Sequence, residues 1–371
     1  MTRIAIASLW YGPSRYACAI HLWCQSARVL ERMINSSSVR VDVVIISSKN
    51  RTDDCEGARH IWPAEIAEAI QPYVRSHQHL TFVRTMSEVL LKLSVFSWTE
   101  YELVIFADLD VDVHSSWESR SECGQRMWEH STRSFLQSSA YVSTSPDHSS
   151  PVNTAVFLAK PRRWLHSYIQ DVLHAGLRFN RTHGFNGAGP PDTYFRGVNI
   201  SRLAQGLGTS LDHAEKVLRH RNMLEKTNDW NFVCAPVDQG MFWWLFYVQR
   251  DYGTWASHGP GWPAMDHYWG PHKPWRPNGA DGQYFKASSR YLWRLYDEQR
   301  PQTACRRELL NLRAHLVASN KYAARSRHPK AGLGIVDRRS WLPAYRLEAR
   351  ENNASVRVSG ASHNRTQGCV T

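Results

Sequence analysis

The chain has 371 residues, of which 42% are apolar and 12% aromatic, enough to bury a sizeable core in one large or two ordinary domains. Its formal net charge of +12 is uneven, because residues 301–371 hold 13 Lys or Arg and 4 Asp or Glu. Only +3 remains for the first 300 residues, so the charge does not indicate a specific nucleic-acid-binding fold. The sequence has no run of about 18 apolar residues, so it predicts no transmembrane segment.

Short apolar strands alternate with helices over the first 175 residues. Strands are predicted at Ile4–Ser8, Val41–Ile46, Leu80–Val83, Leu103–Phe106 and Val156–Leu158. Helices are predicted from Ser14, over Ala64–Ile70 with an end before Pro72, over Ser87–Trp98 and over 165–175. This alternation predicts an α/β domain with right-handed crossovers, in which ligands bind beyond the carboxyl ends of the strands.

The rest of the chain is less regular. Residues 176–233 are predicted to be a long irregular insertion with a helix near 210–220, and an aromatic helix, Met241–Tyr247, follows a DQG sequence. A loop rich in Gly, Pro and Trp covers 253–278. We therefore predict one large domain over 1–300, followed at 301–371 by a basic helix and a tail of low order.

Cysteine usage and glycosylation motifs bear on the compartment. The seven cysteines are scattered, odd in number and without a CxxC pair, so their spacing indicates neither a disulfide framework nor a zinc site. The chain as written is predicted to be cytoplasmic, with the Golgi lumen as the alternative if its N-terminus is incomplete. Six Asn-x-Ser/Thr sequons would matter only in a secretory lumen; they begin at Asn35, Asn50, Asn180, Asn199, Asn353 and Asn364.

The stretch FADLDVDVH places three carboxylates directly after a buried strand. Asp108, Asp110 and Asp112 are two residues apart, so in extended backbone they lie on the same side. Carboxylate oxygens suit Mg²⁺ or Mn²⁺. A solvated strand end is the alternative, whereas an EF-hand is excluded because Val113 and Ser119 stand where Gly and Glu are required.

Three other segments contain residues suited to chemistry. In HYWGPHKPW, His267 is an imidazole ligand, Gly270 allows close approach of a ligand, and Lys273 is a point charge for phosphate. PVNTAVFLAKP places Asn153 just before a strand, and APVDQG places Asp238 and Gln239 at the start of a helix. Taken singly, each segment could also be a loop, turn or cap.

In combination these segments resemble glycosyltransferase family 8, the glycogenin-like enzymes. The resemblance covers residues 4–275 and rests on Tyr16-Ala17-x-Ala19, Lys92-Leu93 before Trp98, FADLDVDV, NTAVFLAKP, DQG and HYWGPHKPW in this order. It implies a GT-A fold, that is, a Rossmann-like mixed sheet with helices on both faces and a small C-terminal subdomain. The sequence departs from the family at Thr154-Ala155, where Ser-Gly is usual, and at Trp243, where an amide is usual.

The resemblance also implies a donor site. It assigns Asp108, Asp110 and His267 as ligands of Mn²⁺, with Mg²⁺ as the alternative ion. Groups that bind the nucleotide sugar, usually UDP-linked, would be Tyr16, Lys92, Asp108, Leu109, Asn153, Gly270 and Lys273. Asp238, Gln239 and Lys273 would act at the reacting centre, and the family retains anomeric configuration.

The expected activity is therefore transfer of a hexose or pentose from a nucleotide sugar to a saccharide or glycoprotein acceptor. Four tryptophans of the 253–278 loop suit an acceptor saccharide, because indole faces pack on sugar rings; they are Trp255, Trp262, Trp269 and Trp275. The alternatives are a catalytically silent nucleotide-sugar-binding relative and a protein that binds nucleic acid or an anionic surface through its basic tail. The sequence leaves the donor sugar, the linkage and the presence of a homodimer open.

Overall fold

A seven-stranded mixed sheet is the centre of the computed structural model. Across the sheet the order is β10 (Gly253–Trp255), β6 (Val142–Ser145), β7 (Asn153–Ala159), β4 (Leu103–Ala107), β1 (Thr2–Trp10), β2 (Val39–Ser47) and β3 (Arg59–Ile61). The chain divides into two compact units, Met1–His315 and Leu316–Thr371, and every described residue belongs to the first. The structure describes residues 1–11, 17–47, 55–113, 132–145, 150–189, 201, 204, 210–212, 230, 232, 234–255 and 266–267. The predicted boundary at residue 300 and the basic segment 301–371 lie outside these residues, so both stay predictions.

The strands of the sheet are short and mostly apolar. They are β1 (Thr2–Trp10), β2 (Val39–Ser47), β3 (Arg59–Ile61), β4 (Leu103–Ala107), β6 (Val142–Ser145), β7 (Asn153–Ala159) and β10 (Gly253–Trp255). Strands β2, β1 and β4 pair in parallel, and β7 runs antiparallel to both β4 and β6. Strand β7 therefore begins at the edge of the sheet where β4 ends.

Two smaller pairings complete the strands. Strand β5 (Val111–Asp112) pairs antiparallel with β11 (Asp266–His267), and β8 (Phe179–Asn180) forms a hairpin with β9 (Gly184–Phe185). This hairpin corrects the prediction of an irregular segment directly after residue 176. Strand β9 begins at Gly184 with φ +68°, and a Cβ there would overlap the ring of Trp230, so only glycine fits.

The helices cover both faces of the sheet. They are α1 (Ala17–Ile34), α2 (Ala64–Ser76), α3 (Thr81–Met86), a 3-10 helix (Ser87–Ser97), α4 (Arg163–His174), α5 (Asp238–Trp243) and a π-helix (Trp244–Val248); residues 132–137 are also helical. Helix α1 and the helical residues 132–137 pack with Ile4, Ile6 and Ile105 on one face, whereas the other helices pack with Ala5, Ala7 and Phe106 on the opposite face. This alternation of neighbouring strand residues confirms the predicted mixed α/β sheet with helices on both faces.

Two predicted elements are wrong. Leu80–Val83 was expected to be a strand, but Thr81–Met86 is helical, with only Val83 buried; one inward side chain per turn suits a helix better than a strand. Helix α2 does not end before Pro72 but runs to Ser76 with Pro72 inside it. No helix among the described residues is long and apolar enough to cross a bilayer.

One disulfide is present although the spacing of the cysteines indicated no disulfide framework. Cys24 of α1 and Cys55 form a disulfide, with a Cα–Cα distance of 5.7 Å across 31 residues of sequence. Nearby, Arg28 of α1 donates a hydrogen bond of 3.0 Å to the carbonyl of Glu56. The segment before β3 thus returns over α1, a tertiary contact that the spacing of the cysteines does not encode.

A buried lysine lies at the opposite end of β7 from Asn153. Lys160 Nζ donates a hydrogen bond of 2.7 Å to the carbonyl of Ser138 and lies 4.7 Å from the centroid of the Phe135 ring. Burial, together with a smaller effect of the positive charge of Arg162, lowers the pKa of this ammonium to about 8. Among the described residues, the groups in contact with the Lys160 ammonium are a carbonyl and an aromatic ring rather than a carboxylate.

We expect the free energy of unfolding to rise with pH between about 8 and the ordinary lysine value of 10.5. In this window native Lys160 is neutral while the unfolded chain still binds the proton, so raising the pH favours the native state. Thermal unfolding of Lys160→Met across the window should show a smaller rise than wild type. Equal pH dependence in the two proteins would contradict this account.

Candidate functional site

The carboxylates that follow β4 are held in place by β7. The residues of β4 are fully buried, and the chain then continues through Asp108 and Asp110. The Asp108 N–H donates a hydrogen bond of 2.8 Å to the carbonyl of Ala155, and its own carbonyl accepts one of 2.9 Å from the Val111 N–H. Both carboxylates therefore lie at the end of a packed strand, at the predicted edge of the sheet.

Lys92 of the 3-10 helix connects two carboxylates that are far apart in sequence. Its Nζ donates hydrogen bonds of 2.9 Å to Asp108 Oδ2 and 2.8 Å to Asp238 Oδ2, and a third of 3.1 Å to the carbonyl of Thr154. The Lys92 side chain is 2% exposed and that of Asp238 is 5% exposed, whereas Asp108 keeps 25% exposure. One ammonium thus joins a fully buried carboxylate to one that solvent or a ligand can reach.

Asp238 begins helix α5 and is oriented by a second donor. The Thr154 hydroxyl donates a hydrogen bond of 2.6 Å to the same oxygen, Oδ2, that accepts from Lys92. The turn before α5 is tight, since Gly240 lies so close to Ala235 that a Cβ would overlap its carbonyl oxygen. The glycine of DQG is therefore required for the backbone to pass at this point.

The electrostatics of the cluster favour a cation. Burial raises the pKa of Asp108 to about 6, against the lowering effect of Lys92 and with additional raising by Asp110 and Asp238. Burial alone would lower the pKa of Lys92, but the charges of Asp108 and Asp238 outweigh it and raise that pKa above its ordinary value. Two carboxylates share the Lys92 ammonium, and the charge of Asp110 acts on one of them, Asp108, so the cluster attracts positive charge.

The amides predicted to face a sugar are both buried. The Asn153 Oδ1 accepts a hydrogen bond of 2.8 Å from the Ala155 N–H, which fixes the start of β7. The Gln239 Oε1 is buried and accepts no hydrogen bond from the residues that the structure describes. Trp243, which stands where the family has an amide, is completely buried and stacks on Tyr247 at 5.2 Å.

The described residues unite only part of the predicted site. They bring together Lys92, Asp108 and Asp238, with Asp110 near enough to influence the pKa of Asp108. The backbone of β11 places His267 opposite Val111, the residue after Asp110. Leu109, also predicted to bind the donor, is partly buried against the core that contains Ile4 and Ile105. The predicted site residues Tyr16, Gly270 and Lys273 lie outside the described residues, as do Trp262, Trp269 and Trp275, and these assignments stay predictions.

The donor set suits a hard divalent cation. Asp108 and Asp110 supply oxygen atoms, the type of ligand that Mn²⁺ and Mg²⁺ prefer, and the pKa of Asp108 is raised by burial first and then by the charges of Asp110 and Asp238. Among the described side chains, no group of three His, Cys, Asp or Glu could hold a metal ion. A third protein ligand would have to come from elsewhere in the chain; the predicted ligand His267 has its backbone opposite Val111 in the β11–β5 pair, and its role stays a prediction.

Two residues near the cluster were missed by sequence reasoning. Thr154 was considered only as a departure from the family, yet its hydroxyl binds Asp238. Tyr11 follows β1, and its phenol pKa is raised by burial and by the charges of Asp108, Asp238 and Asp110. The signal that could have identified Tyr11 was its position after a predicted strand of the α/β sheet. The strands β1 and β4 pair in parallel, which brings the residues that follow them to the same end of the sheet.

A phenol on α2 fixes the backbone two residues before Asp238. The Tyr73 hydroxyl donates a hydrogen bond of 2.5 Å to the carbonyl of Pro236. The Tyr73 ring stacks on His77 at 4.5 Å, and His77 Nε2 accepts a 3.0 Å hydrogen bond from the Phe179 N–H. Helix α2 and hairpin β8–β9 thus support the turn from which Asp238 projects.

Tyr73→Phe should lower kcat about tenfold while changing the donor KM little, because a small displacement of a reacting group is costly. The buried Pro236 carbonyl would also lose its partner, at about 1–3 kcal/mol of stability. Tyr247→Phe is the matched control, since the buried Tyr247 hydroxyl bonds the Thr254 carbonyl at 2.7 Å, away from Asp238. If steady-state kinetics showed an equal fall of kcat in the two variants, a positioning role for Tyr73 would be contradicted.

No protein-family model matches the chain, and no curated protein sequence matches it. Among solved structures, the chain is similar to the glycosyltransferase GlyE of Streptococcus pneumoniae TIGR4, at 11% identity and a TM-score of 0.35, over 90% of this chain and 67% of that one. It is similar to mouse xyloside xylosyltransferase 1 at 11% identity and a TM-score of 0.31, over 45% of this chain and 72% of that one. A glycosyltransferase involved in glycosylation of the major capsid of PBCV-1 is similar at 11% identity and a TM-score of 0.24, over 46% of this chain and 64% of that one.

Proposed function

We propose that the chain is a glycosyltransferase that moves a hexose or pentose from a nucleotide sugar, with UDP as the expected nucleotide, to a saccharide or glycoprotein acceptor. The observation that carries the proposal is the Lys92 bridge between Asp108 and Asp238. It joins the carboxylates expected at a metal-diphosphate site to the carboxylate expected at the reacting centre. The ordered resemblance to glycosyltransferase family 8 supports the same assignment.

A divalent ion, Mn²⁺ or Mg²⁺, fits the oxygen ligands of Asp108 and Asp110 and would supply positive charge for the donor diphosphate. Lys92 is committed to two carboxylates and a carbonyl, so its role here is to orient them. It keeps one oxygen of Asp108 turned inward, while the exposed part of this carboxylate remains available to a ligand.

Asp238 is the carboxylate best placed to act on the sugar. Lys92 and Thr154 both donate to its Oδ2, which holds the side chain in one orientation. A carboxylate beside the anomeric carbon would stabilise the positive charge that develops when a glycosidic bond breaks. The adjacent Gln239 Oε1 is buried and accepts no hydrogen bond from the described residues, so it is suited to accept one from a sugar hydroxyl. The reaction is proposed to retain anomeric configuration.

A donor screen tests the proposal. The full chain would be incubated with UDP-, GDP- and ADP-linked hexoses and pentoses, with and without Mn²⁺, and release of the nucleoside diphosphate would be measured. We expect one UDP-sugar to be turned over in the presence of Mn²⁺, with a product anomer that NMR identifies as retained. Asp238→Asn should abolish the release of the nucleoside diphosphate. Asp42→Asn should not abolish it, because Asp42 of β2 is paired with Arg3 of β1.

The screen also separates the alternatives. Binding of a nucleotide sugar without any turnover would support a silent binding relative. Absence of binding and turnover with every donor would overturn the assignment. The basic tail would be the functional element if the full chain bound nucleic acid in a salt-dependent manner and lost this binding after deletion of 319–371.

A further inference from the structure

Two of the six sequons lie on described residues, and both are exposed. Asn35 directly follows α1, and Asn180 ends β8, immediately before the turn of the β8–β9 hairpin. Both asparagines, and the Ser37 and Thr182 that carry the sequon hydroxyls, are exposed. An enzyme that reads Asn-x-Ser/Thr could therefore reach both motifs without unfolding a helix or a strand of the sheet.

The side chains of both asparagines are also oriented by the backbone. The Asn35 Oδ1 accepts a hydrogen bond of 2.8 Å from the Val41 N–H, and the Asn180 Oδ1 accepts one of 2.6 Å from the His183 N–H. A backbone N–H requires the amide oxygen as its acceptor, which identifies that oxygen in each carboxamide. The amide nitrogen, the atom that carries an N-linked glycan, is not used in these two hydrogen bonds and belongs to an exposed side chain.

The disulfide is an independent sign of the same environment. Cys24 and Cys55 are both buried and joined, tying α1 to the segment before β3. Cytosolic thiols are kept reduced, whereas disulfides persist in the secretory lumen and outside the cell. The sequon at Asn180 and the disulfide lie in different parts of the fold, so agreement between them does not follow from one local feature.

We propose that this chain matures in an oxidising secretory lumen, where Asn180 and Asn35 are N-glycosylation sites and Cys24 and Cys55 are oxidised to the disulfide. In each glycosylation step the asparagine nitrogen forms a bond to the anomeric carbon of an oligosaccharide and loses one proton. The bond from that carbon to the diphosphate of a lipid-linked donor breaks, and the lipid diphosphate leaves. In the oxidation, the two thiols give up two protons and two electrons, which reduce one disulfide of a thiol oxidoreductase to a dithiol. The proposal does not depend on the transferase assignment.

Peptide mapping of the full chain, isolated without reduction from the cells that make it, tests the proposal. Removal of N-glycans by a peptide amidase in ¹⁸O-labelled water should convert Asn180 and Asn35 to labelled Asp. One cross-linked peptide pair should contain Cys24 and Cys55 and should separate on reduction. Unmodified asparagines at both positions, or recovery of Cys24 and Cys55 as separately alkylated thiols, would overturn the proposal.

A matched pair of variants tests the hairpin site. Thr182→Val removes the sequon hydroxyl but retains Asn180 and its bond to the His183 N–H, whereas Thr182→Ser retains the sequon. With a cleavable secretory leader added and expression in eukaryotic cells, Thr182→Val should lose the glycan at Asn180 and Thr182→Ser should keep it. A wild-type chain that stays unmodified at Asn180 in these cells, or a glycan that persists in Thr182→Val, would exclude this site.

Discussion

Replacing Lys92 by Met is expected to lower the free energy of unfolding by about 3–5 kcal/mol, the usual effect of removing one partner of a buried ion pair. The change would leave the Asp238 carboxylate, 5% exposed, without its ammonium partner. It would also remove the bond that turns Asp108 toward the protein interior. Urea unfolding at neutral pH measures the effect, and nucleotide release should be lost in the same variant.

The double variant Lys92→Met/Asp238→Asn distinguishes this charge effect from simple loss of packing. Neutralising Asp238 removes the uncompensated charge, so the double variant should be more stable than Lys92→Met alone. Lys160→Met is the matched single change, because Lys160 is also buried but donates to a carbonyl rather than a carboxylate. If Lys160→Met destabilised as much as Lys92→Met, or if the double variant gained nothing, the carboxylate bridge would not be the stabilising feature.

The sequence predicted the parts of the site that local pattern can encode. Asp108 and Asp110 were expected at the end of a buried strand because LVIF precedes them, and the structure places them there. Asp238 was expected at the start of a helix because DQG precedes an aromatic run, and α5 begins at this residue. In both cases an apolar run specifies the element, and the polar residue at its end specifies the position.

The contacts between those parts could not be predicted in the same way. Lys92 and Asp238 are 146 residues apart, and nothing in either local sequence identifies the other as its partner. The role of Tyr73 depends on a contact between α2 and Pro236, which also exists only in the folded chain. Burial then decides the chemistry, because the same Lys92 in solvent would neither orient two carboxylates nor change its pKa.

The elements that were missed are those defined by their partners. Strand β3 has three residues and β5 has two, and neither carries an apolar run that distinguishes a strand from a loop. Strand β3 exists because β2 offers a parallel edge, and β5 exists because β11 returns beside it. Similarly, the Cys24–Cys55 bond required the return of the chain over α1, which the spacing of seven scattered cysteines does not contain.

Asp110→Asn is expected to abolish metal-dependent turnover while leaving the fold intact. Asp110 follows Asp108 by two residues, and its charge is one of the causes of the raised Asp108 pKa, so the substitution removes negative charge from the place where a divalent ion would bind. The loss should be at least about 10²–10³ in rate, the effect of removing one stabiliser of developing charge. Because Asp110 lies at the edge of the sheet rather than in the buried Lys92–Asp238 pair, thermal unfolding should stay close to wild type.

Titration of the nucleotide-free protein with Mn²⁺ provides a readout that does not depend on turnover. Wild type should bind the ion, Asp110→Asn should bind it much more weakly, and Asp42→Asn should match wild type, because Asp42 of β2 is paired with Arg3 of β1. The register of β11 against β5 places His267 beside Val111, so His267→Ala should weaken binding as well. Wild-type Mn²⁺ affinity and turnover in Asp110→Asn would remove Asp110 from the metal site and, with it, the reason to assign His267 there.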